Sequence, residues 1–295
     1  PASSVPTLGA KVPSELALRD WIQANGGSIL PCLSIVEDAP CGCRGVISTE
    51  PLPLELLEST PLIVVPERLY MSSDAARALL SGLSAKRFAL SLFERELPSP
   101  TQLALLLAAE RGKGDGSFWA PYIRSLPHDV PCAWALGQRE LDAALAALGP
   151  AAVEDVWVAA VEAARVGVRR KAEAAVQRYG RHLGVEVEDV VWAMGQVLSR
   201  SFGRDPHIGL APYIDLLNHR AGSPLPGGFL DEQDGLPYAF VQSSHFGETR
   251  ELAAGDEVYI SYGCSGDPLA TFLNLGFVPP EMLAARQAAE EPERR

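Results

Sequence analysis

The sequence predicts an α+β protein in which a β-rich core of short strands is interrupted by a large helical insert. Two observations predict it. On either side of the chain's middle, short apolar runs rich in β-branched and aromatic residues alternate with Gly-, Pro- and Asp-rich turns. From Ser73 to about Phe202, by contrast, Ala, Leu, Glu and Arg dominate, with apolar residues three and four apart. With 47% hydrophobic and 21% charged residues among 295, the chain can bury a substantial core.

Taken in order, residues 1–13 hold Pro, Ser and Gly without periodicity and read as a loose leader. Ser14 to Ala24 reads as a helix capped by Ser14, with Leu16, Leu18, Trp21 and Ile22 on one face and Asn25-Gly26-Gly27 ending it. Strand-length runs follow at Ile29–Val36, Val46–Ser48 and Leu62–Val65. The helical pattern covers Ala75–Leu92, Thr101–Arg111, Arg139–Leu148, Val153–Tyr179 and Val187–Ser201, without a repeat period. Strands return at His207–Ile214, Tyr238–Ser243 and Val258–Tyr262, and a tail follows Pro279-Pro280. The loop Ala221–Gly235 reads as a solvated surface insertion.

Charge and cysteine content narrow the function classes. Twenty-five basic against 37 acidic residues give a net charge of -12, which argues against nucleic acid as a partner because phosphate affinity comes from Lys and Arg. No stretch approaches the roughly 18 apolar residues of a membrane span. Cys32, Cys41, Cys43, Cys132 and Cys264 form no disulfide framework, and no second Cys/His pair stands at zinc-ligand spacing from Cys41-Gly42-Cys43. They read as reduced thiols in an intracellular compartment, with chloroplast and cytoplasm or nucleus left open. The chain starts at Pro1 instead of Met, which fits a removed transit peptide as well as a trimmed start.

The motifs go further. Asp215-Leu216-Leu217-Asn218-His219 follows an apolar run, Ile260-Ser261-Tyr262-Gly263 ends another, and Leu275-Gly276-Phe277-Val278 comes shortly after. Upstream stand Gly42-Cys43-Arg44-Gly45-Val46-Ile47 and Leu62-Ile63-Val64-Val65-Pro66-Glu67. In this order and spacing, from about Ser14 to Pro280, the chain resembles the SET-domain protein methyltransferases. The nearest type is that of the Rubisco large-subunit lysine methyltransferase and the actin-histidine methyltransferase. The resemblance implies a pseudoknotted SET core divided into 14–72 and 203–280, a SET-I-type helical insert over 73–202, and a tail at 281–295.

It also implies S-adenosyl-L-methionine as cofactor and a protein or peptide substrate, with neither nucleic acid nor membrane as partner and a monomeric enzyme. Cofactor contacts carry over to the backbone around Cys43 and Arg44, to Arg200, whose guanidinium fork suits a carboxylate, and to Asp215, Asn218, His219 and Phe277. Two features depart from the pattern. Gly42 stands where the family often has Glu, and the chain ends at Arg295 where relatives continue into a helical lobe, so the lobe is either absent or cut away.

Tyr262 is the catalytic candidate, a phenol that orients the nucleophile for in-line displacement and contacts the polarised methyl group. Tyr259, at odd offset from it, is expected to face away and pack. The resemblance covers lysine and histidine targets alike. Phe202 and Ile214 form an apolar wall where the histidine-directed branch carries Asn and Trp, which favours a lysine stem. A protein-histidine N-methyltransferase and an inactive SET-like peptide-binding scaffold are the alternatives.

Overall fold

The structure is a computed structural model, and it describes residues 13–82, 97–148, 155–204, 206–223, 239–240, 251–263 and 267–284. Along the chain run α1 (Pro13–Ala24), β1 (Ser28–Ile29), β2 (Leu33–Val36), β3 (Gly45–Ser48), α2 (Leu54–Ser59), β4 (Ile63–Val64), β5 (Met71–Ser72) and α3 (Ser73–Gly82). There follow α4 (Ser99–Gly112), α5 (Gln138–Ala147), α6 (Asp155–Ala175), α7 (Val187–Arg200), β6 (Phe202–Arg204) and β7 (His207–Leu210). The last are β8 (Asn218–His219), β9 (Ala239–Phe240), β10 (Tyr259–Ile260) and α8 (Pro268–Leu275). The α+β class is the one the sequence predicts. The leader, residues 83–92 of the second predicted helix, most of the 221–235 loop, Tyr238, residues 241–243, Cys264 and the end of the tail lie outside the described residues.

Two compact units divide the chain, one from the residues up to Leu69 with Pro212–Gly263, the other from Tyr70–Ala211 with the residues from Cys264 on. In the first, β4 lies between β1 and β9, antiparallel to both. Strands β2 and β3 form a hairpin from Leu33↔Ser48 to Val36↔Gly45. The far edge of β3 takes up the segment before β10: Val258 N–H donates to the Val46 carbonyl at 2.8 Å and Ser48 N–H to the Asp256 carbonyl at 2.9 Å. This pairing sets Glu257 opposite Ile47, with its carboxylate beside Gly45.

The buried face of α1 differs from the predicted one. Leu18 and Ile22 are buried, but Leu16 is 46% exposed, and the third buried position is Glu15. At 100° per residue, positions 15, 18 and 22 share a face and 16 does not. Burial of Glu15 is offset by its partners. Arg19 Nε donates to it at 2.9 Å, the Tyr213 hydroxyl at 3.2 Å and the Ser34 hydroxyl at 3.3 Å. Arg19 also donates to the Tyr213 oxygen at 2.7 Å and to the Leu33 carbonyl. Burial pushes the Tyr213 phenol up, so it stays a neutral donor.

Tyr213 is also why the strand predicted over His207–Ile214 stops at Leu210: it sits at φ +70, uncommon for a bulky side chain, and turns the chain into a single 3-10 turn over Ile214–Leu216. The other predicted strands shorten similarly. The Ile29–Val36 run splits into β1 and β2 around a turn at Pro31-Cys32, and the Val258–Tyr262 run pairs only at Tyr259-Ile260.

In the second unit, α4 is buried almost all round, from Leu103 to Glu110, with α3, α6 and α7 packed against it. Strands β5, β7 and β6 form its sheet. The helix predicted over Val153–Tyr179 runs as α6 to Ala175 and then widens into one π turn, Val176–Gly180. Leu141, Leu145, Trp157, Val161 and Phe272 form a core, with the Trp157 and Phe272 rings 5.4 Å apart. Phe272 is fully buried, so Phe272→Ala should cost about 3–5 kcal/mol, read as a lower denaturant midpoint at unchanged slope. Among the described residues no helix is long and apolar enough to cross a membrane, and no group of three His, Cys, Asp or Glu could hold a metal ion.

Candidate active site

Parallel pairing of β8 with β10 sets Asn218 opposite Tyr259 and His219 opposite Ile260. The chain leaving β10 then passes the His219 ring. Tyr262 N–H donates to His219 Nδ1 at 3.1 Å, and the two rings lie 5.3 Å apart at 42°. A nitrogen that accepts from an amide carries no proton, so neutral His219 holds its proton on Nε2. The Tyr262 hydroxyl donates to the Leu217 carbonyl at 3.0 Å. A phenol has one proton, and with that proton directed at Leu217 its lone pairs are what the oxygen offers in other directions.

Asn218 plays a different part from the one expected. Its carboxamide nitrogen donates to the Arg44 carbonyl at 3.0 Å, to Glu257 Oε1 at 2.8 Å and to Cys41 Sγ at 3.2 Å. The side chain thereby ties the 41–45 loop to β8, and only its oxygen remains to serve a ligand. The loop is a tight turn, with Gly42 N–H donating to the Ala39 carbonyl at 2.7 Å and Ala39 N–H to the Cys43 carbonyl at 2.8 Å. Both carbonyls of Cys43-Arg44 are therefore engaged within the protein, and the Arg44 side chain pairs with Glu37 at 3.3 Å.

Glu257 is the hub that sequence reasoning missed. It is 1% exposed, and besides Asn218 it receives the Cys41 N–H on Oε2 at 2.9 Å. Its charge also acts on the Tyr259 phenol and the Cys41 thiol. Gly45 is required here, since a Cβ would stand 2.5 Å from Glu257 Oε1 and 2.7 Å from Asn218 Nδ2. Tyr259 is consequently more than packing. The Arg220 guanidinium lies 4.4 Å over its ring, while burial and then the Glu257 carboxylate push its phenol up.

The remaining candidates are more dispersed. Ile214 and Asp215 are 1% and 6% exposed in the turn after Tyr213, so both side chains belong to the interior. In the second unit, Arg200 ends α7 and donates through Nε to buried Gln196 at 3.0 Å, and Gln196 in turn holds the Pro127 carbonyl at 2.8 Å. Phe202 opens β6 opposite Gly209, its carbonyl accepting from the Tyr70 hydroxyl at 3.2 Å. Phe277 follows the Gly276 cap of α8 and is 41% exposed. The structure thus gathers Cys43, Arg44, Asn218, His219 and Tyr262 in the first unit, with Ile214 and Asp215 beside them in sequence. Arg200, Phe202 and Phe277 belong to the second unit.

No protein-family model matches the chain. It is similar to the chloroplastic ribulose-1,5 bisphosphate carboxylase/oxygenase large subunit N-methyltransferase of Pisum sativum, 25% identical over 292 residues that cover 95% of this chain and 55% of that protein. The chain therefore spans about half the length of this curated relative. Among solved structures, Rubisco LSMT bound to AdoMet is 20% identical, with a TM-score of 0.62 over 91% of this chain and 57% of that one. The SET domain of LSMT bound to lysine and AdoHcy is 20% identical, with a TM-score of 0.64 over 93% and 58%. The fold is that of the Rubisco LSMT type of SET domain, as the order of motifs implied.

Proposed function

We propose that the chain is an S-adenosylmethionine-dependent protein-lysine N-methyltransferase. The observation that carries this reading is the Tyr262 hydroxyl, held by its own proton on the Leu217 carbonyl while its backbone N–H fixes His219. The names of the similar proteins support the donor and the reaction: one is a large-subunit N-methyltransferase, and the solved neighbours were bound to AdoMet, AdoHcy and lysine. The residues fit the donor in outline. At Gly42, with φ +83, a Cβ would meet no atom within 4 Å, so the turn leaves room for a close approach. Neutral His219 with its proton on Nε2 and the Asn218 carboxamide oxygen supply one donor and one acceptor, the pair an adenine edge requires. Arg200 and Phe277 enter through the resemblance alone.

When bound, S-adenosylmethionine supplies a methyl group already activated by its sulfonium. The protein's task is then alignment and deprotonation. A lysine side chain attacks only as the free amine, and its reference pKa of about 10.4 makes that form scarce at neutral pH. Apolar walls disfavour the ammonium and raise the amine fraction. Ile214 is buried in the core, and Phe202, like Arg200 and Phe277, enters through the resemblance alone. With its proton on Leu217, the Tyr262 oxygen would accept from the amine N–H and so orient the nucleophile toward a bound donor. Because its proton is committed to Leu217, Tyr262 orients the amine and does not act as the base.

Calorimetry with S-adenosylhomocysteine should give a measurable binding heat, whereas an absence of heat would leave only the scaffold reading. Mass spectrometry of peptides treated with enzyme and donor should then find methyl groups on lysine. Methylation confined to histidine would reassign the target.

A further inference from the structure

We propose that Cys41 and Cys43 are a thiol modification site that closes to a disulfide by exchange with a small disulfide oxidant, and that closure weakens methyl-donor binding. The second half rests on the reading of the 41–45 loop as donor-binding.

The two thiols lie 3.1 Å apart, sulfur to sulfur, and both are exposed. Their approach is built into the turn. Gly42 between them takes φ +83, a conformation that other residues rarely adopt, and the Ala39–Cys43 hydrogen bonds close the loop around it. A disulfide bond is about 2.05 Å long, so closure requires the sulfurs to move together by about 1 Å. Two open Cα positions, one residue apart and joined by glycine, can make that movement without disturbing a packed core.

The chemistry has its groups in place. Cys43 attacks as thiolate on one sulfur of the oxidant, breaking the oxidant's S–S bond and expelling a thiolate. Partial desolvation within the turn, the hydrogen bond with Cys43 and then the Glu257 carboxylate push the Cys41 thiol up to about 12, so Cys41 stays protonated and is the resolving group. The Glu257 carboxylate, already against the Cys41 N–H at 2.9 Å, takes the thiol's proton as the Cys41 sulfur attacks Cys43 in the mixed disulfide. The Cys41–Cys43 bond forms, the second thiolate leaves and the proton passes to it. The protein loses two hydrogens, and the oxidant is reduced to two thiols.

Closure acts on the candidate site because Cys41 is wired to it. In the reduced form Cys41 Sγ accepts from Asn218 Nδ2 at 3.2 Å and its N–H reaches Glu257 at 2.9 Å. Oxidation draws the Cys41 sulfur toward Cys43, pulling on the same carboxamide that holds the Arg44 carbonyl. Coupling of this kind is commonly worth five-fold or more, and it is reciprocal, so bound donor should resist closure by the same factor.

The test equilibrates the protein in oxidised and reduced glutathione mixtures and follows Cys41 and Cys43 by differential alkylation and mass spectrometry. Calorimetry with S-adenosylhomocysteine runs alongside. The expected result is a Cys41–Cys43 disulfide, affinity about tenfold weaker in the oxidised protein, recovery with dithiothreitol, and slower closure in the presence of S-adenosylhomocysteine. In Cys41→Ser the affinity, whatever its value, should no longer respond to oxidant. Thiols that stay alkylatable throughout overturn the site. A disulfide that leaves affinity unchanged overturns the coupling. If the reduced protein fails to bind S-adenosylhomocysteine, the donor reading has failed and the coupling with it, while the alkylation result still decides the disulfide.

Discussion

Tyr262→Phe should lower methyl transfer by about a hundredfold or more while changing S-adenosylhomocysteine affinity by less than about threefold. The substitution removes one oxygen and leaves the ring against His219 and the backbone N–H on its Nδ1. What disappears is the acceptor that orients the amine, together with the Leu217 hydrogen bond that fixes its direction. Losing that bond from the folded protein costs about 1 kcal/mol, which a thermal scan separates from the rate effect. Comparable loss of turnover and affinity would instead place Tyr262 in donor binding. A rate near that of the parent would mean that the nucleophile is aligned by other groups.

Glu257→Ala should produce the largest combined effect on stability and binding. Glu257 is 1% exposed, and its carboxylate gathers the Cys41 N–H and the Asn218 carboxamide. Removing it strands both donors at once, at about 1–3 kcal/mol for each buried group left unpaired. A loss of about 3 kcal/mol corresponds to a melting temperature lower by about 5–10 °C. Because Asn218, which holds the Arg44 carbonyl, loses its Glu257 anchor, affinity for S-adenosylhomocysteine should fall by more than about tenfold. Unchanged melting with weaker binding would make Glu257 a ligand group in its own right. An unchanged affinity would show that the loop holds its shape without it.

Much of this was legible in the residues, and the rest was hidden for identifiable reasons. Helices α4, α5 and α7 fall within two residues of their predicted ends because periodicity and cap residues are local signals. The strand predicted over His207–Ile214 was overextended because an apolar run records burial, and Ala211–Ile214 stay buried after the ladder ends at Leu210. Tyr213 could not be foreseen: its turn is enforced by Glu15 and Arg19, far away in the chain. The Asn218, His219 and Tyr262 cluster was legible from motif order. Their bonding was not, since sequence does not say that Asn218 spends its nitrogen on Arg44 and Glu257. Nor does it separate a buried glutamate after a Gly-Asp turn from a solvated one.

The clasp between the 41–45 turn and residue 257 has a consequence for how the protein is made. Cys41 meets Glu257 across 216 positions of chain, and Asn218 meets the Arg44 carbonyl across 174. A ribosome releases the turn long before either partner exists, so the loop waits unanchored while the whole intervening helical segment is synthesised. Contacts of such separation carry a large closure entropy and form late. Helices α4 and α7 can pack first, and assembly of the site is the closing event of folding. During synthesis the Cys41 and Cys43 thiols are therefore exposed without Glu257 or Asn218 beside them, and a reducing environment matters most at that stage.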